Sequence, residues 1–192
     1  MEFIDRKTIR LDKTLSDLDA FVLDFINILE RHVSYVIISG YVSILFGRAR
    51  ATEDIDVFVP ELDEGRFAAL YSDLIKEGYW CLNTEEVGEA YSYLKEGIAI
   101  RFARENETIP NVEIKFARKP PAREALKDFI TVATSKGRLR ISSLEQQIAA
   151  KRYYLKSDKD FEDARHIEEL FKEHIDKKKV EAYRRMFEHE TA

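Results

Sequence analysis

The first third of the chain alternates between the spacing of an amphipathic helix and that of a buried strand. In TLSDLDAFVLDFINILERH (14–32) apolar side chains recur every three or four positions, which predicts a helix. We expect Thr14 and Asp17 to form a variant of a capping box at its start. YVIIS (35–39) then predicts a short buried strand, and GYVSILFG predicts a short helix that ends at Gly47.

The next two predicted elements are a strand and a helix. DIDVFV (54–59) alternates polar and apolar residues and stops at Pro60, which is typical of a half-buried strand. DEGRFAALYSDLIKEG predicts an amphipathic helix with Gly78 at its C-terminal end. The residues expected on its inner face are Phe67, Leu70, Tyr71, Leu74 and Ile75.

Strands dominate the middle of the chain and helices its end. YWCL, IAIRFA and VEIKFA predict strands, PAREALKDFI a helix with Pro121 in its first turn, and KGRLRI a turn with a short strand. Three helical segments follow from Ser142 onward. This order predicts an α/β core over residues 1–140 and a C-terminal helical cap over residues 141–192 that packs on it.

Composition restricts the class of protein. The chain has 192 residues with 45% hydrophobic and 35% charged side chains, as expected for a globular domain with a strongly solvated surface. The net charge of −5 supplies no overall basic field for nucleic acid. The single cysteine, Cys81, excludes an internal disulfide and a cysteine zinc cluster. Without a signal-like or membrane-spanning apolar run, we expect a cytoplasmic protein with no membrane partner.

Asp54 and Asp56 place two carboxylates on one face of a predicted strand, because alternate residues of a strand share a face. If the extended conformation begins earlier, Thr52 and Arg50 lie on that face too. Two close carboxylates repel each other unless a cation neutralises them, and magnesium prefers carboxylate and phosphate oxygens. The pair therefore suggests a metal site, although Asp-x-Asp pairs also occur solvated at strand ends or capping a helix.

Ser39 and Gly40 form a turn between the predicted strand and the short helix that precede this pair. Small residues in such a turn let backbone N–H groups approach a phosphate. A lone Ser-Gly is usually only a turn. Its place in one strand–turn–helix–strand unit ahead of Asp54 and Asp56 suggests a phosphate site.

The stretch SGYVSILFGRARATEDIDVFV resembles the signature of the DNA polymerase beta-type nucleotidyltransferase superfamily: a Gly-Gly or Gly-Ser pair, a helix, then Asp-hydrophobic-Asp. Its Arg-x-Thr-x-Asp-Ile-Asp form is similar to the small bacterial and archaeal branch, which includes toxins of toxin–antitoxin pairs. Ser39 stands where the family has its first glycine. The resemblance implies an α/β (α+β) fold, a minimal nucleotidyltransferase core with a mixed sheet and a C-terminal helical subdomain.

The resemblance also implies a reaction, the transfer of a nucleoside monophosphate from a nucleoside triphosphate to an acceptor hydroxyl, with release of pyrophosphate. Asp54 and Asp56 would bind Mg²⁺, with Mn²⁺ as the alternative ion. Glu113 in VEIKFA would complete the catalytic and metal site and act as general base. The alternative for Glu113 is an ordinary exposed strand position beside Lys115.

The resemblance further implies five residues that bind the nucleotide: Ser39, Gly40, Arg50, Thr52 and Lys151. Lys151 precedes a Lys-Asp-x-x-Asp segment in which Asp160 and Asp163 share a helix face and could hold Lys151 or Arg152 in place. A solvated charged helix face is the alternative for this run.

Three classes of acceptor stay open: a small molecule, a tRNA or a protein. One rival to an active enzyme is a nucleotide-binding or partner-binding module that kept the fold and lost the chemistry. Another is the toxin of a toxin–antitoxin pair, which would have an antitoxin as its partner.

Overall fold

A computed structural model of the chain describes residues 1–191. The strands are β1 Glu2–Asp5, β2 Thr8–Arg10, β3 Val36–Ile37, β4 Asp54–Val59, β5 Tyr79–Cys81, β6 Ile100–Arg104, β7 Asn111–Phe116, β8 Phe129–Ala133 and β9 Arg138–Ser142. The helices are α1 Asp17–Leu29, α2 Gly40–Leu45, α3 Glu64–Lys76, α4 Val87–Glu96, α5 Pro120–Ala125, α6 Leu144–Ala149, α7 Asp158–Leu170 and α8 Lys177–Thr191. A π-helix, Ala150–Leu155, lies between α6 and α7.

The strands form one mixed sheet in the order β1-β2-β8-β9-β3-β4-β7-β6-β5. At its centre β4 pairs antiparallel with β3 and parallel with β7, and β3 pairs parallel with β9. Alternate side chains of β4 and β7 join those of α1 and α3 in one hydrophobic core. The predicted α/β fold with a mixed sheet is therefore confirmed.

Helix α1 begins later than the sequence suggests. Its N-terminal cap is Ser16, whose hydroxyl accepts from the backbone N–H of Asp19, and the Asp19 carboxylate accepts in return from the Ser16 N–H at 2.8 Å. The capping box predicted at Thr14 and Asp17 is thus wrong by two residues. The reason is tertiary, because the buried Asp19 carboxylate also accepts from the Tyr41 hydroxyl at 2.9 Å.

Two further expectations fail, each for its own reason. In α3 the predicted inner residues are buried except Ile75, which is 43% exposed because it lies just outside the apolar stripe. The helix predicted over PAREALKDFI ends at Ala125, and its last residues start β8. β8 pairs with both β2 and β9, and this pairing overrides the local helical pattern. Helix α4 and the N-terminal strands β1 and β2 were not predicted.

The helices after β9 form the cap. In the π-helix the Lys156 N–H donates to the carbonyl oxygen of Lys151 at 3.1 Å, five residues earlier. Helix α8 packs on α6 and the π-helix and buries Tyr183 and Phe187. The predicted boundary between core and cap, at residue 140, falls inside β9. The division of the chain into these two parts stays a prediction. Residue 192, the last of the predicted cap, lies outside the described residues. Within residues 1–191 no helix has both the length and the apolar character required to cross a bilayer.

Candidate active site

Strand β4 carries the aspartate pair on the face opposite its buried side chains. Ile55 and Val57 are fully buried, whereas Asp54 and Asp56 are only partly buried. The hydroxyl of Thr52, just before the strand, donates to the Asp54 carbonyl oxygen at 2.9 Å and lies 3.3 Å from its Oδ1 atom. The two carboxylates therefore share a face, and Thr52 orients the first of them.

Strand β7 brings a third carboxylate beside the pair. Glu113 is the partner of Asp56 in the parallel register of β4 and β7. Arg101 of β6 donates from Nε to Glu113 Oε2 at 2.9 Å. Lys115 Nζ lies 2.5 Å from Glu113 Oε1 and 3.3 Å from Asp56 Oδ1, so Lys115 bridges the two carboxylates.

The charges of this group are unequally balanced. Burial raises the pKa of Asp56, and the nearby charges of Glu113 and Asp54 add to the rise, which Lys115 does not cancel. Glu113 is also buried, yet hydrogen bonds from Lys115 and Arg101 hold its pKa below its ordinary value. Asp56 thus lacks sufficient positive charge around it, whereas Glu113 is neutralised.

The donor set of Asp54 and Asp56 fits a divalent cation, since both supply carboxylate oxygens and Asp56 favours an additional positive charge. Among residues 1–191 no group of three or more His, Cys, Asp or Glu side chains is arranged to hold a metal ion. The pair by itself fits an ion that takes its other ligands from substrate phosphates and water. The role predicted for Glu113 as a third ligand stays a prediction.

The Ser39–Gly40 turn has a strained backbone. Ser39 has φ 66° and ψ −139°, a conformation that glycine adopts easily and serine does not. Such a conformation costs roughly 1–3 kcal/mol and persists only where the surrounding structure imposes it. The strain lies at the position where the resemblance implies a glycine, next to Asp56 on the wall of the same cleft.

Arg50 covers this turn and is held from the cap. A Cβ atom built on Gly40 would lie 3.1 Å from Arg50 Nη2, so the missing side chain makes room for the guanidinium. Arg50 Nη1 donates to Asp163 Oδ2 at 2.6 Å, and Lys151 Nζ donates to the same oxygen at 2.9 Å. Arg48 donates to the other carboxylate oxygen of Asp163.

We call Asp163 with Arg48, Arg50 and Lys151 the cap cluster. The side chains of Asp163 and Lys151 are fully buried. Burial opposes ionisation of Asp163, but the surrounding cations prevail and hold its pKa below the ordinary value. The pairing suggested for Asp163 and Lys151 is present, whereas Arg50 turns toward α7 and does not extend the aspartate face.

A cleft of about 570 Å³ separates the sheet from the cap. Ser39, Asp56 and Lys115 line it on the sheet side, and Gln146 and Lys151 line it on the cap side. Ser39 and Asp56 therefore face helical residues that follow them in the chain by roughly a hundred positions.

A second, more open cavity of about 630 Å³ lies beside the first turns of α1 and the β6–β7 connection. Arg50 and Thr52 line this cavity. The residues predicted to bind nucleotide thus divide between two cavities, with Ser39 and Lys151 in the cleft, Arg50 and Thr52 in the second cavity, and Gly40 buried in the turn.

Sequence reasoning assigned no role to Lys115, Gln146 or Phe187, all of which line the site or its wall. A signal existed for Lys115, which shares a strand face with Glu113 two residues earlier. No local signal marks Gln146 or Phe187, because only the packing of the cap brings them to the cleft.

Comparisons with known proteins agree with this geometry. Residues 19–192 match the family described as "Nucleotidyl transferase of unknown function (DUF2204)". None of the curated proteins compared with the chain is a significant match in sequence.

Solved structures with this fold include the antibiotic-resistance factor ANT(2'')-Ia, in solution and in a crystal with adenylyl-2''-tobramycin. The solution structure has a TM-score of 0.53 and 17% identity over 90% of this chain and 91% of that one. The crystal structure has a TM-score of 0.54 and 19% identity over 91% and 97%. An antigenic nucleotidyltransferase-like protein from Paracoccidioides brasiliensis has a TM-score of 0.50 and 17% identity over 79% and 74%.

At these identities the solved structures establish a shared fold, while the family match spans most of the chain. The aspartate pair, the strained turn before it and the cleft beneath the cap agree with both findings. The chain therefore belongs to the DUF2204 family of nucleotidyl transferases and has the nucleotidyltransferase fold.

Proposed function

We propose that the protein transfers a nucleoside monophosphate from a nucleoside triphosphate to an acceptor hydroxyl. The acceptor oxygen bonds to the α-phosphorus, the bond from that phosphorus to the bridging oxygen breaks, and pyrophosphate leaves. The hydroxyl proton passes to a base or to water. One observation carries the proposal: Asp56 lines the cleft and shares a strand face with Asp54, and burial, together with the charges of Glu113 and Asp54, raises the pKa of Asp56.

Asp54 and Asp56 are the proposed ligands of Mg²⁺, or of Mn²⁺ in its place. When bound, the ion would neutralise phosphate charge and orient the α-phosphate for attack. Thr52 fixes the Asp54 carboxylate through its hydroxyl. The backbone of Ser39 and Gly40 is proposed to contact the phosphates, with Ser39 exposed to the cleft.

Lys115 and Glu113 are proposed to complete the site together. Glu113 holds Lys115 beside Asp56. The Lys115 ammonium group would stabilise the negative charge that develops on the leaving pyrophosphate. With its pKa lowered by Lys115 and Arg101, Glu113 has little affinity for a proton. We therefore propose that Glu113 acts by positioning Lys115, and the general-base role is the less favoured one.

Lys151 and Arg50 are proposed to serve the nucleotide indirectly. Both bind Asp163, and Arg50 also covers the Gly40 turn. Asp163 would thereby hold the cap and the phosphate-binding turn in one arrangement, and catalysis by positioning requires such an arrangement.

The acceptor can be found by labelling. ANT(2'')-Ia was crystallised with adenylyl-2''-tobramycin, so this fold accommodates a nucleotidyl group joined to a small molecule. We propose incubating the protein and Mg²⁺ with each α-labelled triphosphate and cell extract, followed by separation of small molecules, tRNA and protein. Label on tRNA or protein would favour the toxin alternative, whose antitoxin partner could then be sought.

The double variant Asp54→Asn/Asp56→Asn tests the site in this assay. Its matched control is Glu53→Gln, which changes an exposed neighbouring residue. We expect the double variant to lose transfer by about a thousandfold or more and Glu53→Gln to retain it. Triphosphate binding without transfer to any acceptor would indicate a module that has lost the chemistry. Absence of both binding and transfer in the wild type would refute the proposed function.

A further inference from the structure

The cap side of the cleft holds a polar atom without a partner. Gln146 of α6 lines the cleft and is only 5% exposed. Its Nε2 atom donates to the carbonyl oxygen of Pro121 at 2.7 Å. Its Oε1 atom is buried and finds no hydrogen-bond donor within residues 1–191. A buried acceptor without a donor destabilises the fold, so it marks a place where a ligand can supply an N–H or O–H group.

The orientation of the Gln146 amide follows from its partner. The Pro121 carbonyl oxygen only accepts hydrogen bonds, so the amide nitrogen must face it and the amide oxygen must face away. Rotation of the amide by 180° would bring two acceptor oxygens together. The group of Gln146 that is left without a partner is therefore an acceptor, the Oε1 atom.

An aromatic ring stands on the same wall. Tyr154, in the π-helix, lines the cleft and is 41% exposed, and its ring lies 5.5 Å from that of Phe187. The neighbouring Tyr153 is covered by the Arg184 guanidinium at 4.9 Å and does not line the cleft. An accessible aromatic ring is a stacking surface for a nucleobase.

We propose that this wall is the base subsite of the triphosphate and that Gln146 selects bases with an amino group at position 6 of a purine or position 4 of a pyrimidine. Adenine or cytosine would stack on Tyr154 and donate its amino N–H to Gln146 Oε1. Guanine and uracil carry a carbonyl oxygen at the corresponding position, where it would oppose the amide oxygen. The inference rests on the proposed function, because it assumes that the triphosphate lies toward Ser39 and Asp56.

Two matched pairs of ligands test the proposal on the unmodified protein. ATP and inosine triphosphate differ in carrying an amino or an oxo group at position 6, and CTP and UTP differ in the same way at position 4. With Mg²⁺ present, calorimetric titration should show the amino member of each pair binding about tenfold more tightly. Equal affinities within both pairs, or preference for the oxo members, would overturn the assignment.

Variants identify the residue responsible. Gln146→Met keeps the side-chain length but removes the acceptor, so the ratio of ATP to inosine triphosphate affinity should fall to about one. The matched control is Gln147→Met. Gln147 is the next residue, also buried and lining the cleft, with its Nε2 atom bound to Ser142 Oγ at 2.6 Å. The ratio should persist in this control. If the ratio of ATP to inosine triphosphate affinity fell equally in both variants, Gln146 would not be the residue that selects the base.

Tyr154→Ala tests the stacking surface separately. Because the residue is exposed, this variant should fold, and all four triphosphates should bind about tenfold more weakly with the amino preference unchanged. Unchanged affinity would remove Tyr154 from the subsite.

The experiments distinguish a wrong base subsite from a wrong proposed function. If Mg²⁺-dependent binding of triphosphates is present and is lost in Asp54→Asn/Asp56→Asn, the proposed site stands even when ATP and inosine triphosphate bind equally. If no triphosphate binds the wild type, both proposals fall.

Discussion

Two carboxylates near the cleft, the partly buried Asp56 and the fully buried Asp163, have opposite electrostatic surroundings. Asp163 binds three cationic side chains, which hold its pKa down although it is fully buried. Asp56 shares one ammonium group, that of Lys115, with Glu113, and its pKa is raised. Each carboxylate was noted in the sequence as part of an Asp pair, and the sequence pattern does not tell them apart.

The difference separates an architectural charge from the one to which we assign a function. A buried ion pair whose partners are complete contributes little net stability, yet breaking it is expensive because a charge is left alone. Asp163 fits this description, since it joins α7 to the α2–β4 connection through Arg48 and Arg50. A carboxylate with too little positive charge around it is a cost that a ligand cation can remove, which is typical of a functional site. Asp56 fits this second description.

The largest contrast is expected from Asp56→Asn. Transfer should fall by about a thousandfold, because the proposed ion loses a ligand. The thermal midpoint of the metal-free protein at pH 7 should stay equal or rise, since the raised pKa means that ionised Asp56 destabilises the fold. Scanning calorimetry beside the transfer assay measures both quantities. A marked drop in the midpoint would place Asp56 with Asp163 as an architectural residue.

Asp163→Asn is expected to act on stability first. It leaves the buried Lys151 and the two arginines without their carboxylate, and the free energy of unfolding should fall by about 3–5 kcal/mol. Denaturant titration measures the loss. The matched control is Glu162→Gln, which removes an exposed partner of Arg48 on the same helix and should cost about 1 kcal/mol or less. Comparable losses in the two variants would contradict the architectural role of Asp163.

Gly40→Ala tests the link between the cap cluster and the Ser39–Gly40 turn. The new Cβ atom would lie 3.1 Å from Arg50 Nη2, and Arg50 is held by Asp163, so we expect a loss of about 1–3 kcal/mol in the free energy of unfolding. In an Arg50→Ala background the same change should cost much less. Additive effects in this double-mutant cycle would show that Gly40 is required for another reason.

The smallest effect is expected in the response to acid. Because the pKa of Asp163 is lowered in the folded state, its contribution to stability is present above the ordinary value of 3.8 and is lost as pH falls below it. The unfolding free energy of the wild type should therefore decrease over that range more steeply than that of Asp163→Asn. Parallel curves from pH 5 to pH 2 would mean that Asp163 keeps an ordinary pKa.

Local patterns explain why much of the fold was predictable. The alternation in DIDVFV yielded β4 with its buried and polar faces, and the helical spacing around Phe67 and Leu74 yielded α3. Helix α4 escaped prediction because no capping side chain marks its start. β8 escaped because its first residues follow a helical pattern in PAREALKDFI, whereas pairing with β2 and with the adjacent strand β9 places them in the sheet.

The chain by itself determined which residues share a face and which motif it carries, because strand and helix periodicities and the Ser-Gly…Asp-x-Asp spacing are local properties. It could not determine which charges meet. Lys115 reaches Asp56 across 59 residues, and Asp163 reaches Arg50 across 113. These contacts depend on strand register and on the docking of the cap. Only the tertiary structure therefore decided that Asp163 is neutralised and Asp56 is not, and that Gln146, a residue lining the cleft, has an unpaired amide oxygen.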